Sequence, residues 1–111
     1  MSDRLGAVFA ALADPTRRAM LEALVREGST SVPELSEELP ISRQAIAKHL
    51  ASLQRAGLIE RARGGEGREV RYDLRAGALA GASAWLEDTE RDWERRLSRL
   101  KRVVERPVRR A

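Results

Sequence analysis

Apolar residues recur along most of this chain at steps of three and four, the spacing that gathers them on one side of a helix. Leu5, Val8, Phe9 and Leu12 mark a first helix over Asp3–Leu12. It ends at "ADPT", where Asp14 can cap a second helix and Pro15 suits its first turn. Met20, Leu21, Leu24 and Val25 are the expected buried side of that helix, which runs to about Arg26 and stops at Gly28. Ser31 and Glu34 have capping-box spacing for a short third helix, "VPELSEEL", which Pro40 closes. After a short turn, Ser42 can cap a fourth helix with Ile46, Leu50 and Leu53 as its buried stripe and Gly57 at its end.

The period then changes. Residues 58–62 and 68–74 read as two strands joined by "RGGEG", a loop that glycine makes easy. Val70, Tyr72 and Leu74 share one face of the second strand, and Glu69, Arg71 and Asp73 share the other. From 76 to 105 the helical period returns for roughly 45 Å. Its apolar series is Leu79, Ala82, Leu86, Thr89, Trp93, Leu97, Leu100 and Val104, with Trp85 alongside. That run is too long for a domain of this size to cover alone, which predicts a homodimer interface. Leu5, Val8 and Phe9 would contribute from the first helix, and Trp85, Leu86, Thr89, Trp93, Leu97 and Leu100 from the last. Pro107 ends the helix, and residues 107–111 form a short basic tail.

Charge sharpens this outline. The 111 residues carry 21 Lys+Arg and 17 Asp+Glu, a net +4, distributed unevenly. Residues 1–40 hold 4 basic and 7 acidic side chains, residues 41–75 hold 8 and 4, and residues 76–111 hold 9 and 6. The positive excess therefore begins at the fourth helix, and nearly all of it is arginine, which suits phosphate and base-edge contacts. The chain has no cysteine, so disulfides, thiolate metal sites and thiol redox sensing are excluded. No apolar run approaches the roughly 20 residues that span a bilayer, and no signal peptide is recognisable, so a cytoplasmic protein is expected.

Two short helices separated by a tight turn, here 33–56, fit a helix-turn-helix, whose second helix enters the major groove of DNA. Opposite the Ile46/Leu50/Leu53 stripe lie Gln44, Lys48, Ala51 and Arg55, flanked by Arg43, Ala45 and Ala47. No carboxylate is present there to repel phosphates. Arg43, Gln44, Ala47 and Lys48, near the helix start, are the expected contacts. Gln can read adenine with two hydrogen bonds, and Arg or Lys can read guanine. The hairpin of 58–74 adds Arg61, Arg63, Arg68 and Arg71, making a wing for the flanking backbone or minor groove. The whole is a winged helix: mostly α with a small β-hairpin, one domain over 1–106.

Other chemistry is poorly supported. His49 is the only histidine, and no nucleophile pairs plausibly with it. Glu87, Asp88, Glu90, Asp92 and Glu94 alternate with Arg91, Arg95 and Arg96 on one helix, as on a solvated, salt-bridged surface. "GGEG" lacks the spacing of a phosphate-binding loop. No enzymatic activity, cofactor or metal is expected.

Three segments, "LADPTRRAMLEAL", "SVPELSEELPISRQAIAKHLASLQRAGLIERARGGEGREVRYDL" and "AWLEDTERDWERRL", resemble the ArsR family of bacterial winged helix repressors. The resemblance implies a dimer joined through its first and last helices, and operator binding that blocks a promoter. It also implies base and phosphate contacts from Ser42, Arg43, Gln44, Ala47, Lys48 and His49. Metal-sensing members carry a "CVCDL"-like sequence opening the third helix, whereas this chain has "SVPEL", with Ser31 and Pro33 in place of the cysteines. Nor does the last helix offer a histidine. A metal-independent subgroup is therefore expected, with double-stranded DNA as partner and the effector unknown. The competing readings are a winged helix that binds a protein or RNA, and a metal-responsive repressor built from carboxylates and His49.

Overall fold

The computed structural model describes residues 3–62, 67 and 69–105. Four helices come first: α1 (Asp3–Leu12), α2 (Pro15–Glu27), α3 (Val32–Glu38) and α4 (Arg43–Arg55). A strand, β1 (Ser29–Ser31), lies between α2 and α3. Strands β2 (Ile59–Arg61) and β3 (Arg71–Leu74) follow, and α5 (Ala80–Glu105) is last. The antiparallel sheet has the order β1-β3-β2, with Ser31 opposite Arg71 and Arg61 opposite Tyr72.

Local chemistry fixes the helix ends. Asp14 accepts hydrogen bonds from the Thr16 and Arg17 N–H groups at 2.8 and 3.0 Å, and Pro15 opens the helix it caps. Arg17 then donates to the Ala11 carbonyl at 2.8 Å and the Ala10 carbonyl at 3.1 Å, tying the end of α1 to the start of α2. Gly28, at φ +83°, donates to the Leu24 carbonyl and turns the chain out of α2. Ser42 caps α4 by accepting from the Ala45 N–H at 3.1 Å.

The core is a cluster of Met20, Leu21, Ala23 and Leu24 of α2, Leu35 of α3, Ile46, Leu50 and Leu53 of α4, and Leu58 and Ile59 entering β2. Val8 and Ala11 close it from α1, and Ala82 closes it from α5. Burying side chains of this size stabilises by roughly 1.5–3 kcal/mol each relative to leaving them exposed. The core therefore fixes α4 between α2, α3 and the sheet.

Several expectations need correction. Val25 is 63% exposed. It lies about 120° from the middle of the Met20/Leu24/Ala23/Leu21 face on a helical wheel, too far round to reach the core. The last helix begins at Ala80, because residues 76–79 form a turn with Gly77 at φ +71°. The β-strands are shorter than the alternation suggested, and β1 adds a third to the expected pair. The capping box at α3 is half formed: Ser31 Oγ accepts from the Glu34 N–H at 3.3 Å, but the Glu34 carboxylate turns elsewhere.

Candidate nucleic-acid interface

The tight turn between α3 and α4 sets α4 across the surface of the core. With Ile46, Leu50 and Leu53 fully buried, the opposite side must face solvent. Ser42, Arg43, Gln44, Ala47 and Lys48 are all exposed, together with Gln54 and Arg55 further along. Ala45, His49 and Ala51 are half-buried. The whole of α4 contains no carboxylate, so nothing on it opposes a phosphate backbone. The first turn presents donors and small side chains at the end expected to go deepest into a groove.

His49 sits at the edge of this surface, near the start of α2. The Asp14 carboxyl is held below the ordinary carboxylate range, first by the Arg17 backbone N–H, then by the Thr16 N–H and the charges of Arg17 and His49, against desolvation.

The wing separates into parts. Arg61 is exposed on β2. Arg63 and Arg68 lie outside the described residues. Arg71, expected with the other wing arginines to meet DNA, is paired within its own chain. Its guanidinium donates to both oxygens of Glu34 at 2.8 and 3.0 Å, and twice to Ser29 Oγ at 3.1 and 3.0 Å. A further bond reaches Glu69 at 3.4 Å. The Glu34 carboxyl is pushed below its ordinary value by the Arg71 hydrogen bonds, and the Arg71 guanidinium is raised in turn. Charge patterning alone could not find this pair, because 37 residues separate its members.

The last helix is the second unusual surface. Of its 26 residues only Ala82 is buried. Trp85 meets Phe9 of α1 edge-on, with ring centroids 5.5 Å apart and planes at 65°, and this contact anchors the start of the helix. Beyond it, Leu86, Trp93, Leu100, Val103 and Val104 are exposed, Trp93 to 56%. Thr89 is exposed and Leu97 half-buried. Leu5 and Phe9 are half-buried on α1, whereas Val8, expected in the dimer interface, is buried in its own chain's core with only 6% of its surface exposed. Two carboxylates of α5 pair locally, Asp88 with Arg91 and Asp92 with Arg95. Among the described residues, no group of three His, Cys, Asp or Glu side chains could hold a metal ion. No described helix is long and apolar enough to cross a membrane.

Comparison with known proteins agrees with this geometry. A helix-turn-helix domain family matches residues 12–62, which contain α2, the turn and α4. The chain is 36% identical over 95 residues to the HTH-type transcriptional regulator Rv2034 of Mycobacterium tuberculosis, covering 86% of this chain and 83% of that protein. A solved structure of an ArsR-like transcriptional regulator from Rhodococcus sp. RHA1 superposes with a TM-score of 0.76 at 43% identity. That match covers 90% of this chain and 92% of the other. The chain belongs to the ArsR family.

As a winged helix-turn-helix transcriptional regulator, the protein binds DNA, and its family is one of regulators rather than enzymes. The transcriptional repressor SdpR of Bacillus subtilis is 33% identical to this regulator over 79 residues, 71% of this chain and 84% of that one.

Proposed function

We propose that this regulator is a homodimeric repressor that binds a palindromic operator, working in the cytoplasm. The observation that carries the reading is the contrast on α4: a fully buried apolar stripe behind an exposed, carboxylate-free surface. In this reading residues 1–106 act as one winged helix unit. Arg43, Gln44, Ala47 and Lys48 enter the major groove, Ser42 and His49 meet phosphates at its rim, and Arg61 follows the flanking backbone. The tip arginines Arg63 and Arg68 belong to the same proposal.

Dimerisation is supported by the uncovered apolar series on α5. A second copy related by a two-fold axis would bury Trp93 and Leu100 and would set two α4 helices on successive half-sites. The likeness to a named repressor supports repression. The lack of thiolate ligands at the start of α3 supports metal-independent control.

The test is a footprint and an affinity titration on the regulator's own upstream DNA. A dimer making several phosphate contacts should protect two half-sites about one helical turn apart. Its affinity should fall by orders of magnitude between about 50 and 200 mM salt. Binding that ignores salt, or shows no preference for duplex, would favour a module for protein or RNA partners. A change of DNA affinity on adding zinc, copper or nickel would restore the metal-responsive reading.

A further inference from the structure

The wing leaves the sheet at one rung. The Ala62 N–H donates to the Arg71 carbonyl at 2.9 Å, which places both residues at the root of the wing, next to the ends of β2 and β3. Arg71 is also the first residue of β3, directly opposite Ser31, the cap of α3. Its side chain reaches across β1 to α3, with a longer bond to Glu69. Two nitrogens grip the Glu34 carboxylate end-on, and the remaining edge shares Ser29 Oγ. Ser29 is on β1 and Glu34 is in the first turn of α3. One guanidinium thus joins the root of the wing to the edge strand and to the first helix of the helix-turn-helix. Arg71 is only 27% exposed, whereas the carboxylate it grips is 47% exposed. A planar fork on a carboxylate resists rotation in a way that a single point charge does not.

We infer that Arg71 is a positioning residue, which sets the angle of the wing against α3 and thereby places the tip on the DNA backbone without touching the DNA itself. The inference rests on the proposed mode of DNA binding and adds a determinant to it. The tip is tethered by two strands that meet the body through one short ladder. Within that ladder, the Arg71–Glu34–Ser29 contacts link the root to β1 and α3 through side chains. Without them the tip would explore more orientations, and ordering it on binding would cost affinity.

Substituting Glu34 separates the two roles of Arg71 by sign. If Arg71 touched phosphate, Glu34→Ala would release a cation and remove a carboxylate, so affinity would rise. As a positioning residue, Arg71 loses its anchor, and affinity should instead fall by about threefold to tenfold. The slope of log affinity against log salt should also shrink by about one, the loss of one phosphate contact. Flanking protection should retract while the half-site core stays protected. The double variant E34R/R71E restores a pair with reversed polarity and should recover most of the affinity. Arg71→Lys keeps the charge but not the fork, and should recover only part. Thermal melting and far-UV circular dichroism confirm that each variant is folded, and amide exchange at residues 69–73 reads the wing's anchoring without DNA.

Tighter binding by Glu34→Ala, an unchanged affinity, or a reversed pair as weak as Arg71→Ala alone would overturn the inference. If the parent binds no duplex, the DNA-binding proposal falls. Faster exchange at 69–73 in folded Glu34→Ala would then leave Arg71 as an anchor of the hairpin alone, and the inferred role in placing the tip on DNA falls with that proposal.

Discussion

Helices α4 and α5 are both amphipathic, yet they leave opposite faces in solvent. The apolar stripe of α4 is buried within its own chain, so its polar surface is what remains on offer. In α5 only Ala82 is buried, and most of the apolar stripe faces water. Exposed apolar patches on this scale mark places where another surface belongs. In the proposed function, one helix meets a charged ligand and the other a partner as greasy as itself. The contrast teaches that amphipathicity predicts a helix but not which of its sides does the binding.

The largest effect that would break this contrast is expected at Trp93. Trp93→Arg puts a charge in the middle of the α5 stripe and should convert dimer to monomer in sedimentation, with operator affinity falling by orders of magnitude. A stable DNA-binding dimer would count against the α5 assignment.

Next comes Leu50→Ala, which hollows the core beneath α4 and should cost about 2–5 kcal/mol in denaturant unfolding. Leu100→Ala removes the same atoms from an exposed site. It should leave denaturation of the isolated subunit nearly unchanged while weakening self-association.

Smaller again are the changes on the polar side of α4. Gln44→Ala should relax base preference by about 1–3 kcal/mol if it makes a bidentate contact. Lys48→Ala should weaken binding and flatten the salt slope by about one. Neither should alter the melting temperature, and parent-like binding by both variants would remove the recognition-helix assignment.

The smallest effect is that of acid on the wing root. The Glu34 carboxyl lies below its ordinary value because Arg71 binds its charged form. The stabilisation is therefore complete above the ordinary carboxylate range and is lost as pH falls through the depressed value. Glu34→Gln should remove this part of the acid sensitivity, seen as a flatter melting-temperature profile at low pH.

Much of this arrangement was legible in the sequence because its causes are local. Asp14, Gly28 and Ser42 cap or stop helices through neighbours two to four residues away, and Ile46, Leu50 and Leu53 declare their stripe by spacing alone. The missed features have distant or backbone causes. The "STS" of β1 has no apolar alternation and becomes a strand only because β3 supplies its partners. Arg71 was expected among the DNA contacts as one of four arginines of the hairpin, and its pairing with β1 and α3 was not foreseen. Val8 and Leu5 follow one helical pattern, and only packing reveals that Val8 is consumed by the core. Gly77 delays the start of the last helix to Ala80 through a backbone angle that the apolar rhythm does not record.

The solitary coverage of Ala82 has a thermodynamic corollary. If the proposed dimer forms, a rod that gains so little from its own body owes its order to mass action, so the melting point of this protein should climb as it is concentrated and slip as it is diluted. Cellular abundance would then tune how much of the population is assembled.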